Sequence, residues 1–231
     1  MVQGGPVAVS VAVSTVIFTL LEHDGALRLH LPLVRRTRDP FDGAWALPGG
    51  WIGEGEDLSL AARRTLAETT GLRPSYVEQL YTFGRADRSP TGRVVSVIYS
   101  ALVRSPEAAR VAEVHNVRWV PVDKACGLAF DHDDVVAYAL FRLRAKVGYA
   151  QVAVHLLGEC FTLGQLREVH EAVLGRELDP ANFRRRVVAS GAVEATDEHL
   201  TGGRHRPPRL YRAVVPEGAA GPFETTEGPA A

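Results

Sequence analysis

Residues 46–72 read ALPGGWIGEGEDLSLAARRTLAETTGL, a glycine-rich turn running into an amphipathic segment. From about Asp57 to Thr70 the apolar residues Leu58, Ala62 and Leu66 recur at helical spacing, and Gly71 stands where such a helix ends. Positions i, i+3 and i+4 of one helical face carry Thr65, Glu68 and Thr69. Three carboxylates at that spacing would converge on a divalent ion, but here one carboxylate stands between two neutral hydroxyls. A hydroxyl substitutes poorly for a charged oxygen, because a divalent ion such as Mg2+ gives up hydration water reluctantly. Glu56 and Glu113 are further carboxylates, and nothing in the sequence brings Glu113 to this helix.

The flanking segments are β-rich. VAVSVAVSTVIFTLL (7–21), ALRLHLPLV (26–34), VVSVIYSALV (94–103) and HNVRWVPV (115–122) read as strands, with DG, PGG and SPTG between some of them. A second helix begins near Asp131, carries Val136, Leu140, Leu143 and Val147 at helical spacing, and stops at Gly148. These segments make a first domain of residues 1–148.

Composition limits the classes open to the chain. Its 231 residues suffice for two domains, and 46% hydrophobic with 23% charged residues is ordinary for a folded protein. A net charge of -1 excludes a protein that is basic throughout, so any nucleic-acid surface must be local. The apolar opening is shorter than the roughly 20 residues of a membrane span, and no Lys or Arg precedes it as in a signal peptide. Cys126 and Cys160 form no CxxC pair and read as buried apolar residues in a reducing compartment. A cytoplasmic protein with no membrane partner is expected.

Beyond Gly148 the pattern changes. Thr162 and Gln165 form a capping-box pair opening LGQLREVHEAVL, which Gly175 closes. Asp179 and Pro180 then start ANFRRRVVAS, and Val193–Ala195 and Arg209–Val214 read as two strands around TDEHLTGGRHRPP. Helix, turn, helix and hairpin is the order of a winged helix-turn-helix, an α+β unit assigned here to residues 149–215. Residues 216–231 are expected to be a disordered tail. Residues 182–212 hold seven arginines against three carboxylates, a local excess of four positive charges. Asn182 suits bidentate pairing with adenine and Arg184, Arg185 and Arg186 with guanine, although three successive residues fan too widely around a helix for all to face one groove. Arg204, His205, Arg206 and Arg209 around the hairpin tip suit phosphates or a minor groove. The alternative for this domain is a dimerisation module with a basic solvent face.

Gly50, Glu56, Arg64, Leu66, Glu68, Gly71 and Leu72 all fall in the register of the Nudix box, and about residues 5–145 resemble that family. The resemblance implies an α/β fold, the Nudix α/β/α sandwich with a mixed sheet. LVRRTRDPFDGAWALPGG and YTFGRADRSPTGRVVSVIYSALV resemble the matching stretches of ADP-ribose-handling Nudix proteins. On that basis Arg36, Gly49, Gly50, Glu68, Phe83, Arg85 and Arg88 are candidate ligand contacts, with no catalytic residue and no metal site, since Thr65 and Thr69 stand at degenerate positions. Taken singly, Phe83 suits a core and each arginine a solvated face. With FTLGQLREVHEAVLGRELDPANFRRRV and GRHRPPRLYR, nearly the whole chain is similar to the NrtR family of Nudix-related transcriptional regulators of NAD metabolism. That implies a homodimeric repressor of NAD-synthesis genes, bound to a palindromic operator in double-stranded DNA. It senses ADP-ribose or a related NAD metabolite and requires no cofactor. The competing readings are an active Mg2+-dependent ADP-ribose pyrophosphatase with an accessory C-terminal domain, and an adaptor that binds no DNA.

Overall fold

The computed structural model describes residues 7–74, 76–110, 116–147, 151–200 and 207–214. The expected boundary at 148/149, the tail at 216–231, Glu113, and Arg204, His205 and Arg206 lie outside the described residues.

The chain opens with β1 (Ser10–His23), a 14-residue strand that changes partners along its length. Its first half pairs with β4 (Gly49–Trp51) and its second half with β2 (Ala26–Arg35), both antiparallel. Along its other edge it runs parallel to β6 (Val94–Leu102), which pairs in turn with β5 (Tyr76–Phe83). With β3 (Trp45–Ala46) and β7 (Val117–Pro121) on β2, this makes a seven-stranded mixed sheet.

Helices cover both faces, as the alternation along β1 demands. Val13 and Ile17 face α1 (Leu58–Thr70), packing with Ala61, Ala62, Leu66 and Tyr99. Val16, Phe18 and Leu20 face α3 (His132–Val147), where Val135, Val136, Ala139 and Leu143 are buried. The expected α/β/α sandwich is present. A short α2 (Ser105–Ala109) follows β6.

The second unit has no separate core. A 3-10 turn at Gln151–Leu156 leads to α4 (Leu163–Leu174), α5 (Pro180–Ala189) and the hairpin β8 (Val193–His199) with β9 (Arg209–Ala213). Phe161 adds a bridge to this hairpin by exchanging backbone hydrogen bonds with Tyr211 at 2.9 and 2.8 Å, so the unit is a winged helix with a third strand one residue long. Val152, Phe161, Leu166, Val169, Val173 and Phe183 are continuous with the core on the α3 side of the sheet. The local signals were accurate: Thr162 and Gln165 exchange both capping-box bonds, and Asp179 accepts from the Asn182 amide at 2.8 Å.

Some expectations change. Asp57 is the cap of α1 and not its first residue, and β8 extends to His199. Cys126 and Cys160 are exposed, not buried, with free thiols. Among the described residues no helix is long and apolar enough to cross a membrane.

Phe161 is 1% exposed at the junction of the winged unit with the sheet. Phe161→Ala is expected to destabilise the chain by about 3–5 kcal/mol, measured by urea unfolding. A loss under about 1 kcal/mol would show that the winged unit does not depend on this anchor.

Candidate ligand cleft and DNA-reading face

The helix that should hold a metal holds an arginine network. Arg64 donates through Nε and Nη2 to both Glu56 carboxylate oxygens at 2.7 Å, through Nη1 to Glu68 Oε2 at 3.1 Å, and through Nη2 to the Trp51 carbonyl at 3.1 Å. Glu56 also accepts the Gly53 amide at 2.8 Å. The Arg64 bonds, aided by Gly53, hold the Glu56 carboxyl well below the usual carboxylate range, at about 2. Both remaining acidic groups of the box are thus committed to one cation.

The two threonines turn inward as well. Thr65 Oγ1 donates to the Ala61 carbonyl at 2.8 Å and Thr69 Oγ1 to the Thr65 carbonyl at 2.6 Å, the back-bonding that helical hydroxyls favour. Thr65 is buried against Gly50, where a Cβ would lie 2.9 Å from its methyl carbon. These donors do not fit a divalent ion. Among the described residues no group of three or more His, Cys, Asp or Glu is arranged to hold one.

A cleft of about 240 Å³ opens over β1, β4 and the start of α3, lined by Arg36, Gly49, Gly50, Arg88, Phe130 and His132 among others. Gly49 brings its backbone so close to β1 that a Cβ would sit 2.4 Å from the Val13 carbonyl oxygen. Arg36 is fixed by the Pro40 and Arg38 carbonyls at 2.8 and 3.2 Å, with its guanidinium 4.7 Å from the centre of the Phe130 ring. Phe130 meets Phe41 edge to face at 4.9 Å, and both occupy left-handed backbone, with φ of 59° and 67°. For bulky residues that conformation costs on the order of 1–3 kcal/mol, and such strain concentrates at ligand sites. Arg88 forms a bidentate pair with Asp131 at 2.7 and 3.0 Å, each side chain about one-twentieth exposed.

On the winged unit, α5 turns Phe183 into the core and leaves Asn182, Arg184, Arg185 and Arg186 exposed. Arg185 Nη2 donates to Asn182 Oδ1 at 2.7 Å. Arg184 lines an open groove with the α4 start, His199, Arg209 and Tyr211, whereas Arg186 lines a separate hollow beside His170 and Phe183. The three arginines therefore diverge, as helical geometry requires. Arg209 is tied to β8, donating to the Thr196 carbonyl at 2.7 Å, with Asp197 3.5 Å away.

Comparison with known proteins gives a match for each of the two units. Residues 11–142 match the NUDIX domain and residues 153–213 match the NrtR DNA-binding winged helix domain. The ADPR-responsive transcriptional repressor NtrR of Acinetobacter baylyi is 37% identical over 193 residues, covering 81% of this chain and 77% of that protein. The chain belongs to the NrtR family. Shewanella oneidensis NrtR in complex with a 27mer DNA is 38% identical, with a TM-score of 0.75 over 88% of this chain and 93% of that one. The NUDIX domain of the same protein, in complex with ADP ribose, is 40% identical, with a TM-score of 0.51 over 59% of this chain and 89% of that one.

In this NrtR-family chain the cleft gathers Arg36, Gly49, Gly50 and Arg88 from the sequence-expected contacts, but not the other three. Glu68 is held by Arg64 on an exposed flank of α1. Phe83 packs in an aromatic cluster with Tyr81 and Tyr138, and exposed Arg85 pairs with Asp87 and Asp134. Sequence reasoning missed Phe130 and His132, which tertiary folding carries to the cleft from the chain just before and at the start of α3. The polar run FDHDD ahead of an apolar helix was the available signal.

Arg88→Ala leaves Asp131 charged and buried, and is expected to destabilise the chain by about 3–5 kcal/mol in urea unfolding. Acid should also weaken the fold. Burial lowers the His30, His132, His155 and His170 imidazoles from about 6.5, His132 to about 4. Below about pH 6.5 the unfolded chain binds protons that these folded groups refuse, so stability is fullest above that pH and falls with acidification. The His132 contribution continues to fall toward pH 4. A melting temperature unchanged between pH 7.5 and 5.5 would contradict this sign.

Proposed function

We propose that the chain is a homodimeric transcriptional repressor that binds a palindromic operator through its winged helix and releases it when ADP-ribose occupies the cleft. The regulated genes are those of NAD synthesis, as the family resemblance implies. One observation carries the reading: the cleft presents arginines and backbone where diphosphate charge can be met, while Arg64 occupies both carboxylates of the box. Such a pocket binds a nucleotide at equilibrium without hydrolysing it, which is what a sensor needs. The relatives from Acinetobacter baylyi and Shewanella oneidensis support this through an ADPR-responsive repressor and through structures with DNA and with ADP ribose.

Arg184, Asn182 and Arg185 on α5 are the proposed base readers, with Arg209, Arg204, His205 and Arg206 as wing contacts. The hydrogen bond between Arg185 and Asn182 presets two of the readers in one orientation before DNA arrives. Two-fold symmetry places the half-sites about one helical turn, or a multiple of it, apart.

Coupled sites obey reciprocity, so operator DNA must weaken ADP-ribose binding by the factor by which ADP-ribose weakens operator binding, typically about 5- to 150-fold. The test is calorimetric titration of ADP-ribose into free and operator-bound protein, alongside an assay for AMP release with Mg2+. Equal ADP-ribose affinity in the two states rules out the switch. Rapid AMP release returns the chain to the pyrophosphatases.

A further inference from the structure

We infer that His132 is an effector-contacting hydrogen-bond donor: a neutral imidazole that presents its Nε2–H to an acceptor oxygen of a nucleoside-diphosphate sugar in the cleft. The inference rests on the ADP-ribose reading above and names a residue and a protonation state within it.

The argument begins with what an amide can do. The Leu47 backbone N–H lies 3.0 Å from His132 Nδ1. An amide nitrogen only donates, so Nδ1 is the acceptor and carries no proton. A neutral ring then has its single proton on Nε2. The surroundings keep the ring neutral: the residue is 5% exposed, and Arg88 and Arg36 face it with positive charge. Asp131 and Asp133 act in the opposite direction, but Asp131 is already paired bidentately with Arg88. Asp133 is turned away to accept the Gly127 and Leu128 amides at 2.9 and 3.0 Å. His132 is also the first residue of α3, where the helix dipole further disfavours an imidazolium.

The direction of Nε2 follows by elimination. Among the described residues, the buried side-chain nitrogens and oxygens without a partner are Thr15 Oγ1, Thr19 Oγ1 and Trp119 Nε1. Nε2 of His132 is not one of them, and among the described residues the ring hydrogen-bonds to protein only through Nδ1. In a residue this buried that lines the cleft, Nε2 owes its accessibility to the cleft itself. The donor stands among Arg36, Arg88 and Phe130 and adds an N–H without adding a third positive charge. It therefore favours a ligand oxygen at that point over an N–H, which can only donate. One uncharged hydrogen bond is expected to change affinity by roughly three- to tenfold.

The test uses the full chain with 15N-labelled histidine. The His132 signals are assigned through ring-to-backbone correlations in a uniformly 13C,15N-labelled sample, so no variant is needed to identify them. In the free protein, Nε2 should resonate as the protonated nitrogen and Nδ1 as the bare one. Saturating ADP-ribose should move the Nε2–H proton resonance and slow its exchange with water, while leaving the tautomer unchanged. By calorimetry, His132→Leu should bind ADP-ribose roughly three- to tenfold more weakly, and His132→Gln, which restores an N–H near the Nε2 position, should recover most of that loss. A proton on Nδ1, or an Nε2–H resonance unmoved at saturation, overturns the inference even if the variants fail to fold. Wild-type affinity in His132→Leu also overturns it. If the unmodified chain binds no ADP-ribose, the effector reading falls and this inference falls with it. Binding without any response at Nε2 removes this inference alone.

Discussion

Alternation along β1 is the constraint from which the rest of the architecture follows. Successive side chains of a strand point to opposite faces, and here both faces must be covered, one by α1 and the other by α3. The same strand pairs with β4 at one end and β2 at the other, which brings the glycines of the box against the sheet. The cleft therefore sits where β1 changes partners. Its floor is backbone, and side chains reach it from the loop after β2, the loop before β6 and the start of α3.

The box helix keeps its place in this frame although two of its three metal-ligand positions carry Thr65 and Thr69, because its packing against the sheet does not depend on carboxylates there. Ala61, Ala62 and Leu66 face the sheet, and Thr65 fills the space beneath Gly50. Arg64 supplies the positive charge on the outer side, bridging Glu56, Glu68 and the Trp51 carbonyl. An internal guanidinium thus satisfies carboxylates that would otherwise repel one another across the helix and its preceding loop.

Local rules were legible in the sequence, and long-range placement was not. Thr162 with Gln165, Asp179 with Pro180, and Gly71 and Gly175 each mark a helix end through contacts within a few residues. The strand β5 escaped notice because it lies at the edge of the sheet and breaks any alternation by placing Glu78 and Gln79 side by side, with Val77 its one buried residue. Phe83 and Arg85 carried suitable chemistry, but Phe83 turns toward Tyr81 and Tyr138 and Arg85 toward acidic neighbours. The role of Arg88 depends on Asp131, 43 residues away, and that of His132 on an amide 85 residues away. No spacing rule spans such distances. They are set by the packing of α3 on the sheet.

That packing has a geometric consequence. At 16 residues, α3 is a rod about 24 Å long. At its start His132 accepts from the Leu47 amide and the preceding Asp131 pairs with Arg88 at the cleft, while in its last turn Arg144 donates to the Val173 carbonyl near the end of α4 at 3.0 Å. Val147 borders the hollow of about 470 Å³ beneath α5, so this end of the rod rests beside free volume. One continuous helix thus runs from the cleft to the winged unit, and its far end lies beside the hollow under α5.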